Sequence, residues 1–159
     1  MKVRVALTAV ALAGVAVAFT ACGGHHFEPP DRSKQVAEAE AAYTPQIFDT
    51  VTWATDSIRQ LDGNAVYAAS CRRCHGTLGK GDTDYDRSRK IFPPSLVEPD
   101  WKYAKYTNAM DSLRKRIWVG HAGMPTFGIA GIDARDIDGV AYYVLYVLRP
   151  DVLGDSIAR

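Results

Sequence analysis

Two thiols and an imidazole stand together in Cys71-Arg72-Arg73-Cys74-His75. On a helical turn, residues i and i+3 share one side, so both sulfurs can reach the two vinyl groups on one edge of a porphyrin and form thioethers. His75 then projects beneath the ring as an axial ligand to iron. The spacing is that of c-type haem attachment, with Cys71, Cys74 and His75 as the binding residues and one covalent haem c as the cofactor. Two other readings use the same residues. A thioredoxin-like redox pair needs a preceding strand and a βαβ pattern, whereas residues 64–71 have a helical pattern. A structural zinc site could draw on Cys71, Cys74 and two of His25, His26, His75 and His121. However, adjacent Cys74 and His75 do not fit the usual two-pair spacing, and the sequence has no second Cys pair.

A haem iron has a second axial face, and Gly123-Met124-Pro125 offers a thioether for it. Pro125 pushes Met124 out of the helical region, and Gly123 permits close approach of the chain to the ring. The chain has three methionines: Met1, Met110 on an apolar helical stripe, and Met124. Met124 is the expected ligand, against the alternative that it is a core filler. His121 competes for the position, and an iron left open to small ligands is the third reading. Paired His and Met ligands favour the ferrous state and raise the potential, which suits electron transfer.

The start of the chain suggests export. Lys2 and Arg4 precede an apolar, Ala-rich run from Val5 to Phe19, and Thr20-Ala21 leads into Cys22. The alternative, a membrane-spanning anchor, needs about 20 apolar residues, more than this diluted run supplies. Phe19-Thr20-Ala21-Cys22 resembles a bacterial lipobox, which implies lipidation of Cys22, a signal peptide over residues 1–21 and a hold on the membrane that does not span it. With Cys22 so assigned, Cys71 and Cys74 are the remaining pair among three cysteines.

The 159 residues carry a formal net charge of +1, with 47% hydrophobic and 23% charged residues, so the chain is globular and not polybasic. Removal of residues 1–21 takes away Lys2 and Arg4 and no acid, which leaves little charge to attract nucleic acid. Residues 22–62 read as a tether, with apolar positions Ile47, Val51, Ala54, Ile58 and Leu61 predicting an amphipathic helix over 47–61 that packs on the domain or docks to a partner. Residues 76–100 read as a long loop. Met110, Leu113 and Ile117 predict a helix over 108–119, with Asn108 as its cap and Gly120 as its stop. Ile137, Val140, Ala141, Val144 and Leu148 predict a helix over 133–148 that Pro150 ends. Residues 140–148 are apolar all round, consistent either with tyrosine rings set on the core or with a contact surface for another subunit. Arg114-Lys115-Arg116 reads as a solvated face, with steering of an acidic partner as the alternative.

Gly63-x-x-x-Tyr67-x-x-x-Cys71-x-x-Cys74-His75-Gly76, then Gly79 and Gly81, Pro94-Ser95-Leu96, Ile117-x-x-Gly120-x-x-Gly123-Met124-Pro125-x-Phe127 and an aromatic last helix together resemble a class I cytochrome c. The resemblance implies an all-α fold of short helices and long loops around one haem, over residues 63–150, with 151–159 as a tail. It also implies that Gly63 and Tyr67 pack against Tyr143 (Tyr142 being the weaker choice), and that the Pro94 carbonyl accepts a hydrogen bond from the proximal imidazole, with Ser95 where the family has Asn. The whole is similar to the mono-haem lipoprotein subunits of alternative complex III, a quinol-oxidising assembly. The expected function is therefore single-electron transfer on the extracytoplasmic side of a bacterial membrane, without catalysis of its own. The expected partners are redox proteins, among them other subunits of a membrane respiratory complex, and the membrane itself through the lipid anchor, with no nucleic acid. The alternative is a haem-based sensor or a peroxidase-like enzyme with an open iron.

Overall fold

The computed structural model describes residues 31–121 and 123–154; Cys22 and the rest of the signal-like start fall outside them. The fold is all-α, as expected. Helix α1, Arg32–Ala42, begins at Asp31, whose carboxylate accepts the Ser33 N–H at 2.9 Å. A 3-10 turn, Pro45–Phe48, follows. Helix α2, Asp56–Val66, continues through a π turn, Tyr67–Cys71, into a last α turn, Arg72–His75. Helix α3 is Asp84–Arg89, and α4 is Ala109–Val119. Helix α5, Ala134–Tyr143, passes through a second π turn, Val144–Leu148, into Arg149–Leu153.

Several elements depart from the sequence reading. The helix expected over 47–61 is broken: Thr55 starts α2 by accepting the Ile58 N–H at 3.2 Å. Ile47 and Val51 pack on the core from the preceding segment, while Ile58 and Leu61 are exposed because α2 turns Gly63 and Tyr67 inward instead. The stretch 76–100 contains α3, nucleated by a capping box between Thr83 and Asp86. Asn108 occupies the cap position of α4 without a side-chain bond, and Gly120 ends that helix as expected. Pro150 does not end the last helix. It lies within the continuing helix, as the second residue of Arg149–Leu153 and directly after the π turn.

Helices α2 and α5 form the main packing contact, and glycine permits it. A Cβ on Gly63 would lie 2.1 Å from the Gly139 carbonyl oxygen and 2.9 Å from Tyr143 Cβ. One turn further along, the rings of Tyr67 and Tyr143 meet at 5.5 Å, the pairing the resemblance implied. The apolar circumference of α5 is explained by its surroundings: Ile137, Val140, Ala141, Val144, Leu145, Val147 and Leu148 are all buried. Tyr146 is exposed and stacks on Tyr142 at 5.1 Å.

A buried carboxylate joins the same helices to the rest of the chain. Asp138 is 1% exposed and accepts from Trp53 Nε1 at 2.7 Å, Arg59 Nη2 at 2.7 Å and Arg114 Nε at 2.9 Å. The run 114–116 is therefore not one solvated face. Arg114 binds Asp138, Lys115 lies 3.7 Å from Glu40, and Arg116 is half-buried. The N-terminal segment also closes on α4, where Tyr43 and Phe48 meet Trp118 at 6.3 and 6.4 Å.

Two substitutions test this packing. Gly63→Ala forces the helices apart and is expected to lower stability by about 1–3 kcal/mol, read by denaturant unfolding. Asp138→Ala strands two part-buried guanidinium groups and an indole N–H, and is expected to cost about 3–5 kcal/mol in the same assay.

Candidate functional site

The end of α2, the loop before residue 96, α4, the turn after it and α5 enclose a cavity of about 720 Å³. Tyr67, Cys71 and His75 line it from α2, Ile117 from α4, and Val140 and Val144 from α5. Met124 and His121 line it from the turn after α4, and Pro94 from the preceding loop. Cys74 is part-buried but is not among the lining residues. A π turn holds an extra residue and so rotates the residues that follow it by about 100° relative to a continuous α-helix, and Tyr67–Cys71 is such a turn.

The attachment turn is held by its own backbone and by Tyr67. The Tyr67 hydroxyl donates to the Gly76 carbonyl at 2.7 Å, and the Gly81 N–H donates to the His75 carbonyl at 3.0 Å. The Gly79 carbonyl in turn accepts the Leu96 N–H at 2.7 Å, tying this turn to the Pro94-Ser95-Leu96 segment. Burial holds the His75 pKa down, partly offset by the Pro94 carbonyl and the Asp86 charge. Its ring is thus biased to the neutral form, which is the form that binds metal. Nδ1 of His75 is buried and makes no completed hydrogen bond, although the Pro94 carbonyl is near enough to favour a proton on the ring.

After α4, His121 and Met124 exchange both backbone hydrogen bonds, at 3.2 and 2.9 Å, in a tight reversal of the chain. Gly120 makes this reversal possible. Its φ is +71°, and a Cβ there would lie 2.4 Å from the Pro125 carbonyl oxygen. Met124 is half-buried and packs on the core, whereas His121 is exposed. Met110 also packs on the core but does not line the cavity, which fits its reading as filler. A Cβ on Gly123 would meet only Ile91, at 4.0 Å, so the chain there leaves room on its cavity side.

The residues present fit a haem. Apolar walls that also present a thiol, a neutral imidazole and a thioether are the donor set and the surroundings that such a ring requires. They do not fit the redox-pair reading. Burial pushes the Cys71 thiol up to about 12, and burial followed by the Asp86 charge raises Cys74 as well, whereas a reactive pair needs a lowered thiol. Among the described residues, no three His, Cys, Asp or Glu side chains converge to hold a metal ion, so zinc finds no site there.

The sequence reading missed Arg116 and Asp86. Arg116 lines the cavity, and its spacing from Leu113 and Ile117, both cavity residues on α4, was the signal for it. Asp86 is 2% exposed and belongs to a helix with no apolar period.

Residues 58–144, more than half of the chain, match the family described as cytochrome C oxidase, cbb3-type, subunit III. Among curated proteins, the chain is similar to the cbb3-type cytochrome c oxidase subunit CcoP of Rubrivivax gelatinosus, 27% identical over 128 residues. That alignment covers 80% of this chain and 38% of the relative's length. No solved structure matches the chain. The chain belongs to the family described as cytochrome C oxidase, cbb3-type, subunit III.

Proposed function

We propose that Cys71 and Cys74 hold one haem c through thioether bonds, that His75 and Met124 are its axial ligands, and that the chain passes single electrons on the extracytoplasmic side of a bacterial membrane. The observation that carries this reading is a single apolar cavity lined by Cys71, His75 and Met124 together. A haem bound there supplies a one-electron couple. The chain supplies the rest. Burial keeps the His75 ring neutral, with the Pro94 carbonyl beside it to orient its N–H, and Tyr67 braces the turn through Gly76. Gly120 lets the chain fold back so that Met124 reaches inward. The apolar walls exclude water, which keeps the polar rearrangement that accompanies electron transfer small. One Cys-x-x-Cys-His motif occurs in the sequence, which supports a single haem in this chain.

The lipobox-like Phe19-Thr20-Ala21-Cys22 supports a lipid anchor at Cys22 as the membrane attachment. Among the described residues, no helix is long and apolar enough to cross a membrane. We further propose that the partners are subunits of a membrane respiratory complex. The lipoprotein-type start supports the quinol-oxidising assembly, and the name of the Rubrivivax relative supports a second reading, a cytochrome c oxidase.

An optical spectrum of the ferric protein tests the ligand set. Met124→Ala is expected to abolish the far-red band of thioether-bound iron and to open the reduced protein to carbon monoxide, whereas His121→Ala keeps the band. The reverse pattern would transfer the sixth position to His121, and rapid carbon monoxide binding by the unaltered protein would support the sensor or peroxidase reading. Isolation from native membranes in mild detergent separates the assemblies: quinol-driven reduction of the haem is expected in the co-purified complex, and oxygen consumption without it would favour the oxidase.

A further inference from the structure

Helix α3 places a carboxylate against the attachment turn in an unusual state. Asp86 is 2% exposed, and its Oδ2 accepts the Thr83 hydroxyl at 2.7 Å and the Thr83 N–H at 3.3 Å. Its Oδ1 is buried without a completed hydrogen bond, and the neighbouring group near enough to donate to the carboxylate is the Cys74 thiol, which a thioether bond would remove as a donor. The cap of α3 uses Oδ2, so closing that helix gives no reason to bury the second oxygen unpaired. Thr83 Oγ1 lies 3.0 Å from the Arg73 carbonyl, which fixes the carboxylate beside the turn Arg72–His75. From there, its charge acts on both Cys74 and His75.

Three nearby arginines could neutralise Asp86, and all three are engaged elsewhere. Arg73 lies over the Tyr85 ring at 4.2 Å, and Arg89 lies over the same ring at 5.7 Å. Arg87 donates to Asp84 Oδ1 at 2.6 Å and to the Asp82 carbonyl. No ion pair to Asp86 occurs among the described residues. A buried charge with one bare oxygen is strongly felt at short range, because little water screens it.

We propose that Asp86 is a positioning residue that lowers the reduction potential of the site at His75, an inference that rests on His75 being an iron ligand. Loss of one electron adds one positive charge at the metal, and the electron leaves to the redox partner. A fixed negative charge beside the proximal ligand favours that oxidised state. Asp86 thus opposes the Met124 ligand, which raises the potential.

Equilibrium redox titration of the haem-loaded protein at pH 7 and constant ionic strength tests the inference. Asp86→Asn, which keeps the shape and the cap acceptor, is expected to raise the midpoint potential, and Asp86→Glu to return it toward the parent value. Asp86→Ala, which removes the charge and leaves no amide beside the turn, serves in its place if Asp86→Asn does not take up haem and is likewise expected to raise the midpoint. Midpoints unchanged from the parent in the loaded variants, with the thioether band intact, would overturn the role of Asp86 and leave the ligand reading standing. A parent protein without covalent haem would instead defeat the ligand reading itself.

Discussion

The approach of two helices at a point where neither carries a side chain sets the dimensions of the site. Gly63 lies against the Gly139 carbonyl, and any Cβ there would overlap it at 2.1 Å. Beyond this crossing, α2 delivers Tyr67, Cys71 and His75 to the cavity and α5 delivers Val140 and Val144. Widening the crossing would move both walls at once. Asp138 secures the same region from behind, joining α5 to α2 through Arg59, to α4 through Arg114 and to the N-terminal segment through Trp53. These bonds are made to a carboxylate almost without exposure, so salt screens them far less than it screens a surface pair.

Charge is distributed unevenly around the cavity. Its charged lining residues are Lys90, Lys102 and Arg116, and no carboxylate lines it among the described residues. Asp86 lies instead behind the attachment turn, on the side of Cys74. The charge of Asp86 is thus felt at His75, while the charged side chains that line the cavity are cationic.

Legibility in the sequence followed the kind of constraint. Covalent attachment and metal ligation demand particular residue types at fixed spacing, so Cys71, Cys74, His75 and Met124 stood out as candidates in the sequence, and Gly120 could be read as a helix stop. The Gly63, Tyr67 and Tyr143 contact came through resemblance, because nothing local to any of them specifies the other two. Asp138 and Trp53 are 85 positions apart, and Gly139 earns its role only from the helix it meets, so no periodicity could reveal either. Helix α3 was read as loop because its buried residue is a carboxylate, not an apolar side chain. The regular spacing of Ile47, Val51, Ala54, Ile58 and Leu61 misled for a related reason: Thr55 begins a new helix in a different phase, and the two halves of the stripe face opposite environments. At Pro150, the helix continues past the proline through the π turn that precedes it, a local change of winding that apolar spacing does not announce.

The central claim is that one tetrapyrrole is bonded to this chain through Cys71 and Cys74. Intact-protein mass spectrometry of the chain purified from its native membranes, followed by peptide mapping across residues 64–80, tests it most directly. The account predicts the added mass of a single haem on the peptide that contains both cysteines, retained after acid and organic denaturation. Two unmodified thiols on that peptide would contradict it.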